Sequence, residues 1–218
     1  MRDIIGKNWR RKIFDLSDAG RVKELKIQLM SFMQDAFFDQ NDKKVSLTSE
    51  DQKMLSEIFY WLVGSCNPIY LQKAPLFTGN IGTGKTVLMK GILEFIDTHY
   101  SHDAFLGGIS NPVYIQSKEM ANYFKENNTN GISKLKTCSI LAIDDIGYEA
   151  KTTNYFGTEA KPFEEILMSR YDKRKTTLMT TNLPIEEIGK IYGWHIYDRI
   201  KQTSFVYEFK GHSKREKV

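Results

Sequence analysis

Cysteine is scarce in this chain of 218 residues: only Cys66 and Cys138 occur, and neither stands in a C-x-x-C pair. Two cysteines so far apart fit free buried thiols better than a disulfide framework, and no redox chemistry is indicated. Long hydrophobic runs are missing too. The longest, Ile58-Phe59-Tyr60-Trp61-Leu62-Val63, falls far short of the about 20 apolar residues that cross a bilayer, and Met1-Arg2-Asp3-Ile4-Ile5-Gly6-Lys7 has no secretory core. These absences predict a cytoplasmic protein without a membrane partner. Internal repeats and low-complexity tracts are also lacking, which excludes solenoid architectures. Of the four histidines, His99 and His102 with Asp103 have neither a cysteine nor another histidine nearby, so a helix-end cation interaction is expected there rather than a metal site.

Charge of one sign is in short supply as well. The net charge of +4 is too small to mark a nucleic-acid binder by itself. Its placement is uneven, because residues 1–12 carry five bases against Asp3 and residues 201–218 carry five against Glu208 and Glu216, leaving the body mildly acidic. Basic ends of this kind read either as phosphate or partner contacts or as solubilising tails. With 41% hydrophobic and 27% charged residues, the chain has material for one substantial core and an accessory segment.

What is present is dominated by Gly79-Asn80-Ile81-Gly82-Thr83-Gly84-Lys85-Thr86, whose spacing G-x-x-x-x-G-K-T is that of a phosphate-cradling P-loop. An apolar strand, Leu76–Thr78, precedes it. A helix beginning near Lys85 and running through Val87 follows, which is the strand-to-helix context the motif requires. Glycines let backbone N–H groups turn toward phosphates, and the helix N-terminus adds a positive dipole end. Lys85 would reach the β- and γ-phosphates of a nucleoside triphosphate, and the Thr86 hydroxyl would hold Mg²⁺.

Beyond the loop, strands are expected at Val113–Ile115, Ser139–Ile143, Thr176–Thr181 and Phe205–Phe209, with helices starting near Ser117, Lys161, Pro184 and Trp194. Such alternation predicts an α/β fold, a mostly parallel sheet flanked by helices. Two helices precede it. One carries Val22, Leu25, Leu29, Met33 and Phe37 at helical spacing; the other opens on the capping box Ser49-Glu50-Asp51-Gln52, runs over Met54–Val63 and closes at Gly64, with Asn41-Asp42-Lys43-Lys44 as the break between them. The Phe32, Met33, Phe37 and Phe38 stripe reads as core rather than partner surface. The expected division is a helical segment over residues 1–70, open to partner binding, and an ATPase domain over 71–218.

Two carboxylates end the apolar run Ile140-Leu141-Ala142-Ile143-Asp144-Asp145. Triphosphate hydrolysis needs a carboxylate for the Mg²⁺ shell and a group that orients the attacking water; Asp144 suits the first and Asp145 the second. Asn182 ends the strand Thr176–Thr181 and reads either as an amide that meets the γ-phosphate or that water, or, on the local residues alone, as a turn residue before Leu183-Pro184. The stretch Tyr148–Lys161, with Lys151, Asn154, Tyr155 and Phe156, reads as a long insertion: either a stacking and charged surface for single-stranded DNA or a packed surface loop.

In order, the P-loop, Asp144-Asp145-Ile146-Gly147, Arg170-Tyr171, Thr180-Thr181-Asn182-Leu183, Tyr192-Gly193, Asp198-Arg199 and Gly211-x-Ser213-x-Arg215 resemble the DnaC-type helicase-loader ATPases and the related IstB-type transposition helpers of the AAA+ superfamily, over roughly residues 72–216. The resemblance implies a five-stranded parallel P-loop NTPase core, ATP and Mg²⁺ as ligands, and nucleotide binding by Gly79 through Val87. It also implies Asp144 as metal carboxylate, Asp145 at the base position, Asn182 as γ-phosphate sensor, Arg199 as arginine finger and Arg215 as a second sensor. Many AAA+ relatives carry Glu where Asp145 stands, so slow hydrolysis stimulated by DNA or a partner is expected. Single-stranded DNA, a replicative helicase or a transposase, and further copies of the chain are the implied partners. Rival readings are an IstB-like helper on duplex DNA, a small-molecule P-loop kinase, and a nucleotide-binding scaffold.

Overall fold

The computed structural model describes residues 19–39, 49–62, 73–100 and 112–210. At its centre five strands run parallel: β1 (Ala74–Gly79), β2 (Val113–Gln116), β3 (Ile140–Asp144), β6 (Thr176–Thr180) and β7 (Ser204–Phe209). Their order across the sheet is β2-β3-β6-β1-β7. The inner strands β1, β3 and β6 are almost wholly buried. That burial explains why β1 and β3 read as apolar runs instead of alternating ones, while β6 buries Leu178 and Met179 between threonines.

Side chains alternate between the two faces of the sheet, and each face has its own core. Phe77, Ala142 and Leu178 point to one cluster; Leu76, Leu141, Ile143 and Met179 point to the other. The first cluster lies under α1 (Ala19–Asp39), α2 (Ser49–Leu62) and α3 (Lys85–Tyr100). Leu25, Leu29 and Met33 of α1 and Leu55, Ile58, Phe59 and Trp61 of α2 share it with Leu88, Ile92 and Phe95 of α3. Phe32 meets Phe95 edge to face at 6.1 Å, and the Trp61 indole donates to the Lys73 carbonyl at 2.7 Å. The helices expected ahead of the P-loop domain are therefore layered onto its sheet.

The opposite face is covered by α4 (Ser117–Lys125), α5 (Thr129–Thr137), α6 (Pro162–Asp172), α7 (Ile185–Tyr192) and α8 (Trp194–Thr203). Two features were not anticipated in the sequence. Helix α5 is polar and contains Gly131; its start is capped by the Asn128 side chain, which accepts from Gly131 N at 2.9 Å. The 148–161 insertion contains a hairpin, β4 (Thr153–Tyr155) and β5 (Thr158–Ala160), joined by Phe156-Gly157. Both joining residues have positive φ, 48° and 83°.

Candidate nucleotide site

Parallel strands bring their carboxyl ends to one edge, and the order places β1 beside β6 and β6 beside β3. The P-loop after β1, Thr180 to Asn182 at the end of β6, and Asp144 and Asp145 at the end of β3 consequently meet. The Thr181 N–H donates to the Phe77 carbonyl at 2.9 Å and the Ile146 N–H to the Thr180 carbonyl at 2.9 Å, continuing the pairing beyond the strands. Gly79 is required by close approach: its φ is 125°, and a Cβ there would lie 2.3 Å from the Phe209 carbonyl oxygen on β7.

Lys85 is buried at the start of α3, and its ammonium donates back to the loop carbonyls of Gly79 at 2.8 Å and Asn80 at 2.7 Å. Thr83 Oγ1 donates to Asn80 O at 2.9 Å, and Ile81 at the tip is 60% exposed. Beside Thr83 a cavity of about 760 Å³ opens between the first turns of α2 and the end of β7, walled by Ser49, Met54, Tyr207 and Phe209 among others.

Asp144 is 1% exposed. Its Oδ1 accepts from the Thr86 hydroxyl at 3.0 Å and from the Thr180 hydroxyl, and its Oδ2 accepts from the Tyr114 hydroxyl at 2.8 Å. Burial, and then the pairing with Asp144, push the Tyr114 phenol above its ordinary value, so it remains a proton donor. These partners are neutral hydroxyls. A buried carboxylate beside the Thr86 hydroxyl is a hard oxygen set that fits a Mg²⁺ ion, with Thr86 and Asp144 as the residues that would hold it.

Asp145 is held in a left-handed conformation, φ 56°, unusual for a non-glycine residue. Its N–H donates to Thr180 Oγ1 at 2.9 Å, its carbonyl accepts from Ser117 Oγ at 2.7 Å, and its Oδ1 accepts from Asn182 Nδ2 at 3.3 Å. The two carboxylates thus face different partners: Asp144 the P-loop threonine, Asp145 the end of β6. Strain of this kind concentrates where geometry matters for chemistry. The loop that follows is tied down by Glu149, which accepts from Gly147 N at 2.9 Å and from the Tyr192 hydroxyl.

Arg199 stands apart. Its guanidinium lies over the Tyr171 ring at 4.7 Å and meets Asp198 at 3.3 Å on the surface. Helix α8 ends at the start of β7, where Lys73 Nζ donates to Lys201 O at 2.9 Å and Ala74 pairs with Ser204. Arg199 is therefore toward the amino edge of the sheet, away from the edge that carries the P-loop. Arg215, with Gly211 and Ser213, lies outside the described residues. So do Cys66, His102, Asp103, the break at Asn41–Lys44 and the basic N-terminus. Cys138 is free and buried.

Tyr114, Thr180 and Ser117 were missed in the sequence. Thr180 lay in plain view in a strand-end run of threonines. Tyr114 and Ser117 carry no local signal, because only strand register brings them to the aspartates.

No protein-family model matches the sequence, and no curated protein matches it. Solved structures do resemble the fold. The DnaC helicase loader aligns with a TM-score of 0.59 at 19% identity, over 80% of this chain and 98% of that one. DnaI aligns at 0.54 and 18% identity, over 95% and 92% of the two chains. AMPPCP-bound DnaA from Aquifex aeolicus aligns at 0.54 and 15% identity, over 77% of this chain and 49% of that one. The sheet order, the P-loop after β1 and these likenesses together show that the chain shares the fold of the DnaC and DnaI structures.

Proposed function

We propose that this chain is an ATP-dependent switch of the helicase-loader kind, which binds Mg·ATP at the P-loop, hydrolyses it slowly, and engages single-stranded DNA and a protein partner in the cytoplasm. The observation that carries the reading is the convergence of Lys85, Thr86, Asp144, Asp145 and Asn182 at one sheet edge. The likeness to a loader and to an AMPPCP-bound initiator supports it.

In this reading Lys85 exchanges its two loop carbonyls for β- and γ-phosphate oxygens, while the loop N–H groups and the start of α3 cradle the triphosphate. The cavity beside Thr83 receives the nucleoside end. Mg²⁺, when bound, neutralises charge that develops on the phosphate oxygens. Asp145 orients the attacking water, and Asn182, already bonded to Asp145, reads whether a γ-phosphate is present. Arg199 acts on the site of a neighbouring copy, and Arg215 contributes as a second sensor. The two leading helices, with Ile27 60% and Tyr60 43% exposed, form the segment that meets the protein partner.

A nucleotide titration tests the core of the proposal. Wild type should bind ATP tightly and Lys85→Ala should not, with the fold retained, since the change removes a phosphate counter-charge; Asp145→Asn should bind ATP without hydrolysing it. Equal affinity of wild type and Lys85→Ala dismisses the P-loop reading. Hydrolysis stimulated by single strands supports the loader role. Stimulation by duplex alone favours the IstB-like alternative, and phosphate transfer to a small metabolite favours a kinase.

A further inference from the structure

Asp144 has two carboxylate oxygens, and hydroxyl donors from three different elements occupy them. Thr86 belongs to the P-loop pattern and Thr180 to the neighbouring strand, and both donate to Oδ1. The remaining oxygen, Oδ2, accepts from Tyr114 on β2, which no phosphate-binding pattern requires. The register makes this contact possible. Tyr114 pairs with Ala142, two residues before Asp144 and so on the same face of β3. From that position the phenol hydroxyl reaches the carboxylate two residues further along β3. The Lys90 ammonium on α3 stands over that ring at 4.9 Å.

A phenylalanine would fill nearly the same volume beside the first core cluster, so packing does not account for the hydroxyl. What the hydroxyl adds is orientation. With Oδ1 drawn toward α3 and β6 and Oδ2 drawn toward β2, rotation of the carboxylate about its last torsion is opposed from both sides. Partners that orient a metal-binding carboxylate in this way typically change metal affinity by about 10–100-fold when removed.

We propose that Tyr114 is a positioning residue that sets the Asp144 carboxylate for Mg²⁺ within the nucleotide site. The inference rests on the nucleotide-binding reading above, and its effect belongs to the metal-dependent part of binding.

The test compares wild type with Tyr114→Phe by titrating a fluorescent ATP analogue, first in EDTA and then across a series of Mg²⁺ concentrations. Metal-free affinity should be the same for both proteins. The Mg²⁺ concentration that half-maximally tightens nucleotide binding should rise about tenfold in Tyr114→Phe. Thermal melts of the two nucleotide-free proteins report whether the substitution disturbs the fold, and a general loosening would weaken binding in EDTA as well. Superimposable Mg²⁺ curves, or equal loss with and without metal, overturn the positioning role while leaving the P-loop reading intact. If wild type binds no nucleotide under any condition, the P-loop reading fails and this inference fails with it.

Discussion

Arg170, in the last turn of α6, is fully buried, and its guanidinium spreads over neutral backbone and side-chain acceptors. Nε donates to the Thr177 hydroxyl at 2.9 Å, NH1 to the carbonyls of Leu135 at 2.7 Å and Cys138 at 2.9 Å, and NH2 to the Thr176 carbonyl at 2.6 Å. Burial pulls its pKa below the ordinary arginine value, an effect opposed by the nearby Cys138 sulfur. One side chain thereby joins the end of α5, the approach to β3, helix α6 and the start of β6. Lysine cannot reproduce a planar fork with five donors. Arg170→Lys should strand several buried carbonyls and lower stability by about 2–4 kcal/mol, read by urea denaturation. A loss under about 1 kcal/mol would show that the acceptors find other donors. In the sequence Arg170 appeared only as half of an Arg-Tyr pair, because nothing local tells a buried guanidinium from one that merely ends a helix.

At the scale of elements, the hairpin after the second carboxylate carries an unusual turn. A two-residue connection with both φ values positive is ordinarily occupied by Asn-Gly; here Phe156 takes the first position and is 65% exposed. A left-handed conformation costs a bulky residue roughly 1–2 kcal/mol. Asn154 Oδ1 and Asn127 Oδ1 hold the turn by accepting from the N–H groups of Gly157 at 2.9 Å and Phe156 at 2.8 Å. The Phe156 ring meets Tyr155 edge to face at 4.8 Å but keeps most of its surface in solvent, and the reading of this hairpin as a stacking surface for single strands assigns that surface to the bases. Phe156→Asn should leave thermal stability equal or higher while weakening single-strand binding several-fold in fluorescence anisotropy; unchanged affinity removes the hairpin from the DNA path. The same turn explains why the hairpin was illegible beforehand, since Tyr155-Phe156-Gly157-Thr158 lacks the Asn or Asp that announces it. Helix α5 was illegible for a related reason. Gly131 argues against a helix on propensity, yet it is there because a Cβ would stand 2.7 Å from the Tyr123 ring. The buried strands, whose apolar runs are dictated by helices on both faces, were legible almost to the residue, and so was the P-loop, whose chemistry is contained in eight consecutive positions.

For the whole molecule, the decisive geometry is that the P-loop and Arg199 lie toward opposite edges of one sheet. Arg199 lies away from the P-loop of its own chain, so the proposed finger would act only across a contact between copies. Arg199→Ala subunits, with an intact P-loop, and Lys85→Ala subunits, with an intact Arg199, should each be inactive alone, and hydrolysis should return on mixing. A finger delivered in trans is worth on the order of a thousandfold or more in rate. Full DNA-stimulated turnover by Arg199→Ala alone would reduce Arg199 to its surface pairing with Asp198 and its packing on Tyr171.

If the proposed finger acts in trans, donor and acceptor surfaces on opposite edges also fix the kind of assembly. That contact would be head to tail, so it would propagate into a row unless its rotation closes a ring. An open row always ends in one ATP site that no arginine reaches and, at its other end, one arginine with nothing to act on. Longer rows dilute that idle pair, and turnover per subunit climbs with protein concentration until it levels off. The terminal ATP site would keep its nucleotide longest and mark one end of the row as different from the other, and an assembly built from identical chains would thereby acquire a polarity.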